Sequence, residues 1–176
     1  MRICFIRHGS DIKPKILGED TPLSMQGIRQ IKNAIRYYDK ENIKAVYSSP
    51  CKRAVQTAEI VAKRYHVPVV ILEGLAERKK FDYKKDSPEE KLFMDNYLNY
   101  AFDTDLFESC KKYIDRNFEA FDTIVKNHYD KNENVIVVGH SATLYALNTY
   151  FNGIPKDKQI IWLQCGNCSM IKYEKI

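Results

Sequence analysis

Met1-Arg-Ile-Cys-Phe-Ile-Arg-His-Gly9 is the stretch from which the rest of the chain can be read. Its short apolar run, Ile3 to Ile6, predicts a buried strand. The run stops abruptly at Arg7, His8 and Gly9, so an arginine and an imidazole arrive together at a strand's end. In open α/β sheets, ligands bind outside the carboxyl ends of the strands. An arginine there can grip an anion while a neutral imidazole attacks it. A second run of the same kind, Val135 to Val138, stops as abruptly at Gly139-His140.

Between and beyond these runs, strand and helix patterns alternate. After a polar loop from Ser10 to Asp20, broken by Pro14 and Gly18, Ser24 is the expected N-cap of a helix. Ile28, Ile31, Ile35 and Tyr38 fall on one face of it, with Arg29, Lys32 and Arg36 facing water. Ile43 to Tyr47 predicts the next strand. Ser49-Pro50 reads as the cap and first position of a second helix whose inner face is Ala54, Ala58, Val61, Ala62 and Tyr65. Val67 to Leu72 predicts a third strand, and Pro68 places it at a sheet edge. Glu73 to Asp86 is a polar connection. Ser87-Pro-Glu-Glu90 has capping-box form and opens a helix to about Ala101. A longer helix follows, with Leu106, Cys110, Tyr113, Ile114, Phe118, Phe121, Ile124 and Val125 on its inner stripe. Ser141 is the expected N-cap of a helix bearing Leu144 and Leu147. Gln159 to Leu163 and Ser169 to Tyr173 predict two last strands.

This rhythm predicts an α/β fold, a three-layer αβα sandwich on a largely parallel mixed sheet. At 176 residues the chain fits one domain, residues 1–176. The helical pair at about 78–128 exceeds what a crossover needs and is expected to form a lid-like insertion.

Composition narrows the class. A hydrophobic share of 44% argues against disorder. No apolar run reaches the roughly 20 residues that span a bilayer. The N-terminal run is too short for a signal peptide, so a cytoplasmic location and no membrane partner are expected. A net charge of +5 favours anions, but Lys and Arg are interleaved with 23 acids, and no nucleic-acid partner is expected. The five cysteines lack a disulfide framework's spacing. Cys165-Gly-Asn-Cys168 is a lone CxxC and reads as two thiols flanking a turn, with no metal expected.

Arg53 sits in the first turn of a helix that also follows a strand, within Tyr47-Ser-Ser-Pro-Cys-Lys-Arg53-Ala-Val-Gln-Thr57-Ala. Arg7, His8, Arg53 and His140 therefore all fall just past strand ends. Helix N-termini offer free amides to an anion, which makes His140-Ser141-Ala142 a candidate phosphate cradle. Arginine suits such a pocket because its planar fork pairs bidentately with phosphate oxygens.

With these residues in view, the chain resembles the histidine phosphatase superfamily, the phosphoglycerate mutase-like fold. The resemblance rests on Arg7-His8-Gly9, Thr21-Pro-Leu-Ser-x-x-Gly27 and Ser48-Ser-Pro-x-x-Arg53-Ala-x-Gln-Thr57-Ala. Leu75-x-Glu77, Gly139-His140 and Asn167-Cys-Ser169 complete it, all in the family's order. It implies a phosphomonoester hydrolase acting on a small phosphorylated metabolite, with no cofactor. His8 would become a phosphohistidine. Arg7, Arg53 and His140 would hold the phosphoryl group, and Ser141 and Ala142 would add amides. Glu77 would give the leaving oxygen its proton, with Glu73 and Asp82 as rival carboxylates. The alternatives are a phosphoglycerate-type mutase and a phospho-ligand-binding protein without turnover.

Three stretches depart from the family pattern. Asp11 and Pro14 stand where Thr and Asn are common, and a carboxylate there would repel phosphate unless turned away. Ser141 replaces a frequent glycine. Arg78-Lys-Lys-Phe-Asp-Tyr-Lys-Lys85 is this chain's own, with Lys79, Lys80, Lys84 and Lys85 as candidates for guiding substrate. His66 and His128 end helices, where a cation suits the dipole.

Overall fold

Alternation along the strands decides which helices pack where. In a computed structural model describing residues 1–15, 19–38, 42–79 and 81–174, β1 (Arg2–Arg7) lies between β4 (Asn134–Gly139) and β5 (Met170–Glu174). β2 (Ile43–Ser48) and the short β3 (Val69–Ile71) complete the sheet in the order β3-β2-β4-β1-β5. β3, β2, β4 and β1 run parallel, and β5 is antiparallel to β1. Pro68 does stand next to an edge strand.

Cys4, Ile6, Val46, Ile136 and Val138 point to one face of the sheet. There they pack on α1 (Met25–Ala34) and α2 (Lys52–Tyr65) through Ile31, Ala54, Ala58 and Val61. Ile3, Phe5, Ala45, Tyr47, Val135 and Val137 point the other way. They meet α4 (Cys110–His128) and α5 (Ser141–Asn152) through Tyr113, Ile114, Phe121, Leu144 and Leu147. A period of two in the strands thus supplies both faces of a three-layer sandwich.

Several boundaries differ from the sequence expectation. α2 starts at Lys52 with Cys51 as N-cap, so Pro50 precedes the helix and Ser49 is free for another role. α5 takes His140, not Ser141, as its N-cap. α3 is only Pro88–Asp95, because Asn96 turns its side chain back to the Leu92 carbonyl (3.0 Å) and competes with the backbone. α4 begins at Cys110, capped by Ser109, which leaves Leu106 61% exposed instead of on the inner stripe. α4 is also a core layer in its own right. Of the 78–128 segment expected to be lid-like, its α4 portion is thus part of the central packing.

Gln159 to Leu163 forms no sheet strand. β1 has one open edge, and β5 takes it. Gln159 instead bridges to Asn99, and the Ile160 amide donates to the Leu98 carbonyl (2.8 Å). This segment thus buttresses the 78–109 region. Gly18 and Lys80 lie outside the described residues.

Candidate active site

The first turn after β1 is held from three sides. The Asn167 side chain donates to the His8 carbonyl (2.8 Å), and the Gly9 amide donates to Thr57 Oγ1 (3.2 Å). Thr57 in turn donates to the Arg53 carbonyl, tying α2 to the same turn. α1 comes close on the remaining side. A Cβ at Gly27 would lie 2.0 Å from the Ser10 carbonyl oxygen, so only glycine fits there.

These supports gather four side chains expected to act together. Arg53 Nε lies 3.3 Å from His8 Nε2, and its Nη2 lies 2.5 Å from Glu77 Oε2. His140 Nδ1 is 3.2 Å from the same Glu77 oxygen. The His8 and His140 rings meet edge to face, their centroids 5.1 Å apart. Arg7, His8, Arg53 and Glu77 line a cavity of about 330 Å³ with Asp11, Pro14, Glu19, Asp20, Thr21, Cys51, Arg78 and Lys79. Ser141 and Ala142 are not among its lining residues. Ala142 turns into the core.

The His8 Nδ1 atom is 2.7 Å from the Gly9 carbonyl, which can only accept. Nδ1 therefore carries the ring proton, and Nε2 presents its lone pair to the cavity. Burial lowers the His8 pKa from 6.5 to about 4, helped by the neighbouring His140 and Arg53 charges. Desolvation outranks both of these charge effects. Glu77 moves the other way from what its own burial dictates. His140 and Arg53 hold its carboxyl well below the usual range. Burial favours a neutral His140, yet its pKa is raised because Cys51 and Glu77 stabilise the cation.

Arg7 spends Nη1 on the Cys165 carbonyl (2.8 Å), while its buried Nε has no hydrogen-bond partner. A buried guanidinium N–H left without a partner beside the cavity favours an anion there. Asp11 accepts from the Thr21 hydroxyl (2.9 Å) and stands 3.9 Å from Arg53, so it is engaged by its neighbours yet still borders the cavity. Of the rival carboxylates, Glu73 and Asp82 are exposed and absent from the cavity lining.

Sequence reasoning missed several positioning groups. Ser49 Oγ lies 2.8 Å from His140 Nε2. Arg116, on α4, donates to the carbonyls of Gly74, Ala76 and Glu77 and pairs with Glu108. It thereby fixes the segment that carries Glu77. Arg78 is no solvated loop residue. It is buried, donates to the carbonyls of Tyr97 and Glu108, and stacks 4.4 Å from the Tyr97 ring. A cationic residue within an apolar helix stripe was the one available signal, at Arg116. His128, expected to answer only the helix dipole, also bonds Tyr47 and Glu133.

Paired histidines and arginines at strand ends of an αβα sandwich define a phosphoryl-transfer class of protein. The model for the histidine phosphatase superfamily (branch 1) matches residues 3–175, and the chain belongs to that family. Its class of activity is phosphoester hydrolysis. An uncharacterized phosphatase, PhoE of Bacillus subtilis, is 30% identical over 158 residues, covering 86% of this chain and 77% of that protein. A metal-independent phosphoserine phosphatase of Arabidopsis thaliana is 31% identical over 159 residues, covering 82% of this chain and 66% of the relative. Among solved structures, a mycobacterial glucosyl-3-phosphoglycerate phosphatase superposes with a TM-score of 0.79 at 21% identity, covering 97% of this chain and 88% of that one. At that identity the likeness speaks for the fold. Among the described residues, no helix is long and apolar enough to cross a membrane.

Proposed function

We propose that the chain is a metal-independent phosphomonoester hydrolase that passes its phosphoryl group through His8. The observation that carries this reading is the fixed tautomer of His8, whose Nε2 lone pair faces the cavity on a ring that stays neutral down to about pH 4. Arg7, Arg53 and His140 hold the substrate's phosphate oxygens, and fixed cations around that group are the main catalytic means in phosphoryl transfer. Nε2 attacks phosphorus in line, and the bond from phosphorus to the ester oxygen breaks.

The leaving oxygen needs a proton, and the ion pair with Arg53 keeps Glu77 ionised before substrate arrives. An incoming phosphate draws Arg53 to itself and puts negative charge beside Glu77. Both changes raise the carboxyl's affinity for a proton, so substrate binding creates its own general acid. Glu77, ionised again after donating, takes a proton from water as that water attacks the phosphohistidine. Inorganic phosphate and neutral His8 are restored. The Glu77 side chain is 33% exposed, which admits water and favours hydrolysis over transfer to a second substrate.

The substrate is a small phosphorylated metabolite. Residues 78–109, anchored through Arg78, form the cap that bounds its non-phosphate side within a single domain. A cytoplasmic setting suits five free thiols, with Cys51 half-buried at the cavity wall. The test is phosphoenzyme trapping. Wild type incubated with a labelled phosphomonoester and quenched in base retains acid-labile label on His8, and His8→Ala retains none. Label that persists in His8→Ala overturns the assignment.

A further inference from the structure

His8, Glu77 and His140 each offer one ligand atom, and these atoms all lie within 4.8 Å of one another. The two rings are oriented as metal ligands are. His8 anchors Nδ1 on the Gly9 carbonyl, and His140 sets Nε2 against Ser49 Oγ. Metal-binding histidines fix their outer nitrogen in this way, which aims the other lone pair. The inner nitrogen of His140, Nδ1, belongs to a fully buried side chain, and a cation bound there replaces the proton that Glu77 stabilises on the ring. Nδ1 faces the Glu77 carboxylate across 3.2 Å.

We propose that His8, His140 and Glu77 form a reversible inhibitory site for a late first-row divalent cation such as Zn²⁺, occupied in competition with phosphate. Imidazole donors favour zinc, whereas magnesium and calcium prefer all-oxygen sets. A cation on His8 Nε2 takes the lone pair that the attack on phosphorus needs. The protein thus turns over without a metal and is stopped by one.

Arg53 is the obstacle, because it donates to both His8 and Glu77 and repels a cation. The site provides for its departure. Asp20 lies 3.6 Å and Asp11 3.9 Å from the guanidinium, so the arginine can turn outward and remain paired. The two imidazoles of the set already discriminate against hard cations. The inference stands on this geometry and holds even if His8 proves not to be the nucleophile.

The test is calorimetric titration of the full chain with zinc chloride in phosphate-free buffer, repeated with orthovanadate present. Expected are one Zn²⁺ per chain, no comparable binding of Mg²⁺, and zinc binding suppressed by vanadate. Zinc binding disappears in His140→Ala, weakens by about 10–100-fold in Ser49→Ala, and is unchanged in the exposed His66→Ala. Vanadate competition in the wild type needs no variant to fold. Zinc that binds alongside vanadate, that survives His140→Ala, or that binds no better than magnesium overturns the proposal. So does the absence of zinc binding.

Discussion

At the scale of single residues, the proposed mechanism separates groups that react from groups that tune them. His8 is neutral because burial forbids its charge, and Glu77 is charged because Arg53 and His140 insist on it. Glu77→Gln should therefore slow esters of poorly leaving alcohols by about 10²–10⁴-fold while sparing p-nitrophenyl phosphate, whose leaving group needs no proton. Comparing kcat on the two substrate types checks this, and equal slowing would move the acid elsewhere. Of the residues proposed to react, His8 and His140 were suggested by the strand ends that the sequence marks, whereas Glu77, in a polar connection, was suggested only by the family resemblance. Ser49 was not legible. Its partner His140 lies 91 positions away, and nothing local in a Ser-Ser-Pro turn announces so distant a bond. Asp11 was read as a repelling group, and the Thr21 bond that engages it also comes from outside its own segment.

At the scale of elements, two joints carry the site. α1 meets the turn after β1 at Gly27, where a methyl group would collide with the Ser10 carbonyl. Gly27→Ala should lose about 1–3 kcal/mol of stability, measured by denaturant unfolding, because backbone must shift to admit it. α4 meets the Glu77 segment through Arg116, whose removal strands three carbonyls and Glu108. Arg116→Met should lower stability by roughly 1–3 kcal/mol and depress kcat more than KM, since it loosens Glu77 but not the phosphate's arginines. A kcat indistinguishable from wild type would show that the segment holds itself. Strands and helices with strict periodicity were legible in the sequence. The exceptions have a common cause, which is competition. Gln159 to Leu163 has strand composition but β5 holds the edge of β1, and the Asn96 side chain shortens a helix that its capping box had begun well.

At the scale of the whole molecule, the buried site couples protonation to stability. The folded His8 titrates near 4 and an unfolded histidine near 6.5, so between these values the unfolded chain binds more protons. His8 therefore contributes stability above about pH 6.5 that is lost as pH falls toward about 4. Glu77, depressed when folded, loses its contribution in the same acidic direction, whereas raised His140 opposes both. Thermal melts should fall across that window, and His8→Gln should flatten the fall. An unchanged slope in the variant would place the acid sensitivity elsewhere. The layer arrangement was readable as a whole because β1 and β4 are unbroken apolar runs, as strands covered by helices on both faces require.

The central place of β1 also bears on how the molecule comes into being. Its sheet neighbours are β4 and β5, with Ile3 opposite Val135 on one side and Tyr173 on the other. The Asn167 amide that steadies the His8 carbonyl lies 159 positions further on. A ribosome thus releases His8 early and delivers its supports late. During synthesis β1 is an apolar segment without neighbours, and long-range pairing of this kind slows folding. The proposed nucleophile is translated well before Asn167 and β5, which complete its surroundings. On the proposed mechanism, the phosphoryl acceptor is fully steadied only once this distant segment has come home.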